Sequence, residues 1–181
     1  MKIVAVVGSL RKESVNRKVA ELIQRRYGNE AEISLAFIYD FPLYNPDTEE
    51  EVPETVASVK QAIREADGVI FATPEYNYSI PAALKNAIEW FSRGEEKILT
   101  DKPVMVVGAS PGLNGTLRAQ LHLQNILDVP GLRADTSFDT MMQIGTVYTK
   151  VDEKGYLNDP DTLTYLDKTM NNFLKKVRTK A

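Results

Sequence analysis

The sequence predicts an α/β fold: a doubly wound sheet of five parallel strands in the order 2-1-3-4-5, helices on both faces, in a single domain spanning 1–181. Two observations predict it. Short apolar runs rich in Val, Ile and Ala alternate five times with amphipathic stretches, and strands that are apolar without interruption are strands buried on both faces by helical crossovers. The chain also has 181 residues and 43% hydrophobic content with no composition break, enough for one well-packed core.

The first element is the strand Lys2-Ile-Val-Ala-Val-Val, which breaks at Gly8. A helix begins near Ser14 and runs to about Tyr27, with Val15, Val19, Leu22 and Ile23 on one face and Gly28-Asn29 as its stop. Ile33 to Ile38 is the second strand. Phe41 to Glu51 is an acidic loop containing two prolines, and Val56, Val59 and Ile63 mark a helix ending near Ala66. Gly68 to Thr73 is the third strand. The next helix carries Ser79 as cap, Pro81 in its first turn and a stripe of Ile80, Leu84, Ile88 and Phe91, with Trp90 half-exposed at the margin. Pro103 to Gly108 is the fourth strand, and the helix from about Thr116 to Leu127 spreads its leucines over more than one face, as burial on two sides would require. A fifth strand is expected at Ala134 to Phe138. Beyond it come a polar excursion from Met141 to Asp161, with a turn at Asp152-Glu-Lys-Gly155, and a final helix with Leu163, Leu166, Met170, Leu174 and Val177 on one side and a frayed basic end.

In a 2-1-3-4-5 sheet the strand order reverses between strands 1 and 3, and ligands bind outside the carboxyl ends of the strands there. Those ends are Ser9 to Asn16, Pro74 to Ser79 and Ala109 to Gly112, the three loops with marked polar chemistry. In the first, Ser9, Ser14 and Asn16 can donate to phosphate oxygens, Arg11 adds a planar fork, and the helix start directs free N–H groups the same way. The same residues also describe an ordinary capped helix. Neither G-x-x-x-x-G-K-[ST] nor G-x-G-x-x-G is present, since Gly8 stands between Val7 and Ser9, so a P-loop or dinucleotide grip is excluded. In the second loop, Pro74 stiffens the exit from the strand and Glu75-Tyr-Asn77 presents N–H groups, an amide and an aromatic that would suit the edge of a planar heterocycle. An ordinary turn uses the same residues.

Composition removes several chemistries. There is no Cys and a single His, so thiol nucleophiles, iron–sulfur clusters and Cys/His zinc sites are excluded. His122, between two leucines, is expected as a packed or interface histidine. Any redox chemistry would belong to a bound cofactor. A net charge of −3 provides no basic field for nucleic acid, no window is long and apolar enough to insert in a membrane, and a cytoplasmic location is expected.

Three motifs in order, Gly8-Ser-Leu-Arg-Lys-Glu-Ser-Val-Asn-Arg17, Pro74-Glu-Tyr-Asn-Tyr-Ser-Ile-Pro81 with Leu84-Lys-Asn-Ala-Ile88, and Gly115-Thr-Leu-Arg-Ala-Gln120, closely resemble the NADPH-dependent FMN reductase family. This flavodoxin-like group includes bacterial quinone, chromate and azo reductases. The resemblance implies that the run Ser9, Leu10, Arg11, Lys12, Glu13, Ser14, Val15 and Asn16 wraps the FMN phosphate, with Ser9, Arg11, Ser14 and Asn16 as direct ligands. It implies that Pro74, Glu75, Tyr76 and Asn77 line the isoalloxazine ring and that Ser110 contacts the flavin. Many members carry Gly-Gly where this chain has Ser110-Pro-Gly-Leu-Asn-Gly115, a departure on the substrate side. The implied activity is ping-pong reduction of small-molecule electron acceptors such as quinones, chromate, azo compounds or flavins by NADPH or NADH, in a homodimer or homotetramer, with Tyr76 or Tyr78 flanking the acceptor or packing between subunits. A reductase of free FMN and a non-enzymatic electron carrier of the same fold are the alternatives.

Overall fold

A computed structural model describes residues 1–180. Its strands are β1 (Lys2–Val7), β2 (Glu32–Phe37), β3 (Gly68–Ala72), β4 (Val104–Ala109) and β5 (Met141–Ile144), and its helices are α1 (Val15–Arg26), α2 (Glu54–Glu65), α3 (Ala82–Phe91), α4 (Leu117–Leu127) and α5 (Pro160–Lys180). All strand pairs are parallel and the order is β2-β1-β3-β4-β5, as the alternation predicts. β1 sits between β2 and β3, with Val7 beside both Phe37 and Ala72, so the strand tips are level where the order reverses.

The strand period of two divides the core. Ile3, Ala5 and Val7 face a cluster with Val19 and Ile23 of α1 and Met170, Phe173 and Val177 of α5. Val4 and Val6 face the opposite cluster, with Ile63 of α2, Leu84, Ile88 and Phe91 of α3 and Leu123 and Leu127 of α4. Helices therefore cover both faces.

Several local expectations are corrected. The fifth strand is Met141–Ile144, and from the expected segment only Asp135 touches the sheet, in an isolated bridge to Pro103. Ser137 to Thr140 turns the chain before the ladder begins. The helix after β3 is capped by Pro81, without a side-chain bond, because Ser79 closes a separate turn. Trp90 is only 2% exposed. The loop after β2 folds across it, its indole N–H donating to the Pro42 carbonyl at 2.9 Å and its ring meeting Tyr44 edge-on. Of α4, the face of Ala119, Gln120, Leu123 and Leu127 is buried within the chain, whereas Leu117 and His122 are exposed on it, so His122 is not packed within the chain. Within the polar excursion, Val147–Thr149 forms a 3-10 turn, and Val151 pairs with Leu157 across the expected Asp152–Gly155 turn. The basic C-terminal end stays helical to Lys180, tied down by Lys176 and Lys180 on Asp135.

Candidate active site

Three loops meet at the carboxyl edge of β1, β3 and β4. Gly8 N–H still donates to Ala72 O at 2.8 Å, so the β1 loop leaves the sheet one residue beyond the strand. At Gly108 a Cβ would fall 1.8 Å from Thr116 Oγ1 and 2.4 Å from the Thr73 carbonyl, so no larger residue fits where β4 runs between the exit of β3 and the start of α4.

The β1 loop is rich in open donors. Ser9 and Ser14 are buried. Each hydroxyl accepts a backbone N–H, from Arg11 at 3.4 Å and from Arg17 at 3.2 Å. Neither donates its own proton to an acceptor among the described residues, and the backbone N–H groups of Leu10, Lys12, Glu13, Ser14, Val15 and Asn16 are likewise unbonded there. The first turn of α1 contains no acid. Arg11 and Lys12 are exposed and make no ion pair among the described residues. Arg17, by contrast, is taken: its Nε donates to Glu21 at 2.8 Å. Burial alone would raise the Glu21 carboxyl pKa, but the bonds from Arg17 and the Tyr156 hydroxyl outweigh it and hold it below the usual range. Two buried hydroxyls, a run of free N–H groups, a helix dipole and two unpaired cations suit a phosphoryl group.

Asn16 has a structural job as well. Its amide accepts from Ala109 N–H at 2.8 Å and donates to Ala109 O at 3.0 Å, tying α1 to the tip of β4. One amide hydrogen remains for a ligand. Leu10 and Glu13 stand exposed on the rim, Glu13 paired with Lys18, while Val15 is half-buried.

The β3 loop is a tight turn. Tyr76 and Ser79 exchange backbone hydrogen bonds at 3.0 Å each, and the two central residues, Asn77 and Tyr78, have φ of 50° and 64°. That is the type I′ pattern, which Asn accepts readily and Tyr at a cost of about 1–2 kcal/mol. Pro74 is buried, and Tyr76 to Tyr78 are exposed. The Tyr76 N–H is used in the turn, so the N–H groups left free in this loop are those of Glu75, Asn77 and Tyr78. The Glu75 side chain does not point to the edge of the crevice as an open acid: its Oε2 accepts from the N–H groups of Arg118 and Ala119, at 2.9 and 3.1 Å.

Two helix starts facing this edge therefore differ. α4, whose own Thr116 provides no side-chain cap, is filled by the Glu75 carboxylate, whereas α1 keeps its free donors. Open donors for an anion therefore stand at α1 and not at α4. In the β4 loop, the Ser110 hydroxyl donates to Gly115 O at 2.6 Å, and the backbone of 110–112 is laced to Ile144, Thr146 and Val147. A cavity of 350 Å³ at the opposite edge, lined by Asp67, Lys102 and Lys180 among others, has no comparable donors, since both lysine amines are bonded to protein oxygens.

Sequence reasoning found the three loops and missed three roles: Glu75 as the cap of α4, Asn16 as the α1–β4 tie, and the Arg118 guanidinium, which lies 4.3 Å from the centre of the Tyr78 ring. All are contacts between residues more than thirty positions apart, which no local pattern signals.

Comparison with known proteins identifies the family. The family model for NADPH-dependent FMN reductase matches residues 1–138. The chain is 40% identical over 174 residues to the NADH:(hydroxy)cinnamate reductase subunit CrdA of Vibrio ruber, covering 96% of this chain and 86% of that one. It is 40% identical over 170 residues to a quinone reductase of Escherichia coli K12, covering 92% and 89%. FerB, a flavoenzyme NAD(P)H:(acceptor) oxidoreductase from Paracoccus denitrificans, superposes with a TM-score of 0.83 at 31% identity over 99% of this chain and 98% of its own. With β1 to α4 inside the matched region, the chain belongs to the NADPH-dependent FMN reductase family of oxidoreductases.

Proposed function

We propose that the chain binds FMN at this crevice and uses it to pass electrons from NADH or NADPH to quinones and related small acceptors. The observation that carries this reading is the set of open donors around Ser9, Arg11, Lys12, Ser14 and Asn16 at the start of an acid-free helix. When bound, the flavin supplies hydride acceptance from the nicotinamide and its delivery to the acceptor in alternating half-reactions.

The chain's own residues bind and orient. Ser9 and Ser14 donate hydroxyl protons to the phosphate while their oxygens keep the loop closed on Arg11 and Arg17. Arg11 and Lys12 offset its charge from the open side. The free N–H groups of Glu75 and Asn77 offer donors to the ring edge, and the rigid turn fixes their direction. Ser110 acts from the β4 loop through its hydroxyl oxygen, its proton being used on Gly115. Leu10, Tyr76, Tyr78, Leu113 and Leu117 leave an apolar rim exposed, which supports a homodimer or homotetramer that shares the pocket. Sedimentation at working concentration tests that assembly, and a stable monomer removes it.

The decisive measurement is the absorbance spectrum of the purified full chain, followed by anaerobic titration with NADH and with NADPH. Flavin bands that persist through dialysis and bleach with one equivalent of nicotinamide are expected. A protein that takes up no FMN overturns the reading, and one that holds FMN but is not reduced is an electron carrier instead.

A further inference from the structure

The strained turn at 76–79 is braced by the first turn and a half of α4. Glu75 Oε2 takes the N–H groups of Arg118 and Ala119. The other carboxylate oxygen lies 3.8 Å from the Arg118 guanidinium, which is itself stacked over the Tyr78 ring at 4.3 Å. One turn further along α4, His122 Nδ1 meets the Ser79 hydroxyl at 3.1 Å. Tyr78 and Ser79 of the turn are thus each met by an α4 side chain, and Glu75, the residue just before the turn, holds the backbone of α4 with a side chain only 13% exposed.

Resting on the flavin reading above, we propose that Glu75 is a positioning residue: it clamps the β3 loop to α4 so that Asn77 and Tyr78 stay left-handed and the loop's free N–H groups keep the direction from which a planar heterocycle is held. The physical case is that Tyr does not populate this backbone region unaided, and that a carboxylate at a helix N-terminus is held by both hydrogen bonds and the dipole. Arg118 adds a second grip, since its position is fixed by Glu75 and its face is presented to Tyr78. The clamp lies on the ring side of the crevice and does not touch the phosphate loop, which makes its effect separable.

The test uses the full chain as wild type, Glu75→Ala and Glu75→Gln, before and after adding flavin. Amide hydrogen exchange is read at Tyr76 and Ser79, whose N–H groups close the turn, and at Leu10 to Asn16 as the internal reference. In Glu75→Ala, exchange at Tyr76 and Ser79 is expected to rise about tenfold with the reference unchanged, the Gln variant falling between because its amide oxygen still accepts. Affinity for FMN and for riboflavin should fall by the same factor, because the lost contact concerns the ring. A folded Glu75→Ala protein with unchanged exchange at Tyr76 and Ser79, or one whose ring affinity is intact, overturns the clamp. If the wild type takes up neither flavin while the exchange difference persists, the clamp stands and the flavin reading fails.

Discussion

Asn16 shows how one side chain carries two duties at the crevice. Its amide closes two hydrogen bonds with the backbone of Ala109, 93 positions away, inside a shell where the residue is 3% exposed. Asn16→Ala leaves both a buried N–H and a buried carbonyl of β4 without partners, so a loss of about 2–4 kcal/mol is expected from urea unfolding of the flavin-free chain. Asn16→Asp keeps the acceptor for Ala109 N–H but sets a carboxylate oxygen against the Ala109 carbonyl, and should be no better. From the sequence, Ser14 was legible as a helix start because its partner, Arg17 N–H, is three residues on. The Ala109 tie was not, and neither was the role of Glu75, because both partners lie across the sheet edge and are brought near only by the fold. Gly108 belongs to the same set: Gly108→Ala would press a methyl into Thr116 and the Thr73 carbonyl, and should cost at least about 1–3 kcal/mol by the same unfolding measurement.

Among the elements, four of the five strands are legible in the sequence, three of them because they are buried on both sides and β2 although its burial alternates. β1 beyond Lys2, β3 and β4 are continuous runs without a polar side chain, and no position of β3 or β4 is exposed. β5 is Met-Met-Gln-Ile, four residues with a single β-branched side chain at the sheet edge, too short and too weakly marked to stand out from its surroundings, and pairing with β4 makes it the strand. The helix pair on the α1 face was readable by stripe alone, but not the cluster that joins it. Arg26 donates to Asp167 of α5 at 2.7 and 2.8 Å, and the Tyr27 hydroxyl donates to the same carboxylate at 2.6 Å. The Arg26 bonds hold the Asp167 carboxyl below its usual 3.8, and burial, helped by Asp167, pushes the Tyr27 phenol above its usual 10.0. The signs oppose. Asp167 gives stability that is present above pH 3.8 and is lost as pH falls through its lower folded value. Tyr27 gives stability that is present below pH 10.0 and is lost as pH rises through its raised folded value. Melting temperatures across pH should therefore show Asp167→Asn flattening the acid limb and Tyr27→Phe the alkaline one, and an unchanged alkaline limb in Tyr27→Phe would show that the phenol does not link α1 to α5.

The molecule as a whole segregates its chemistry to one edge. The carboxyl ends of β1, β3 and β4 hold the free donors, the strained turn and the exposed Tyr76 and Tyr78, while the opposite edge pairs its lysines with Asp135 and with backbone carbonyls. With a net charge of −3, the chain attracts an anion only locally, where Arg11 and Lys12 stand unpaired beside an acid-free helix start. A phosphorylated flavin should therefore stabilise the fold far more than the same ring without phosphate. A ligand at a hundred times its dissociation constant adds about 2.7 kcal/mol to unfolding, so the comparison reads directly as a melting shift. FMN at fixed concentration is expected to raise the midpoint by several degrees and riboflavin by markedly less. Ser9→Ala with Ser14→Ala should narrow the gap between FMN and riboflavin, because it removes both buried hydroxyl donors, keeps the backbone N–H groups, Arg11 and Lys12, and leaves the ring side untouched. Equal shifts for FMN and riboflavin in the wild type would place the binding energy on the ring and strip the α1 loop of the role its donors suggest.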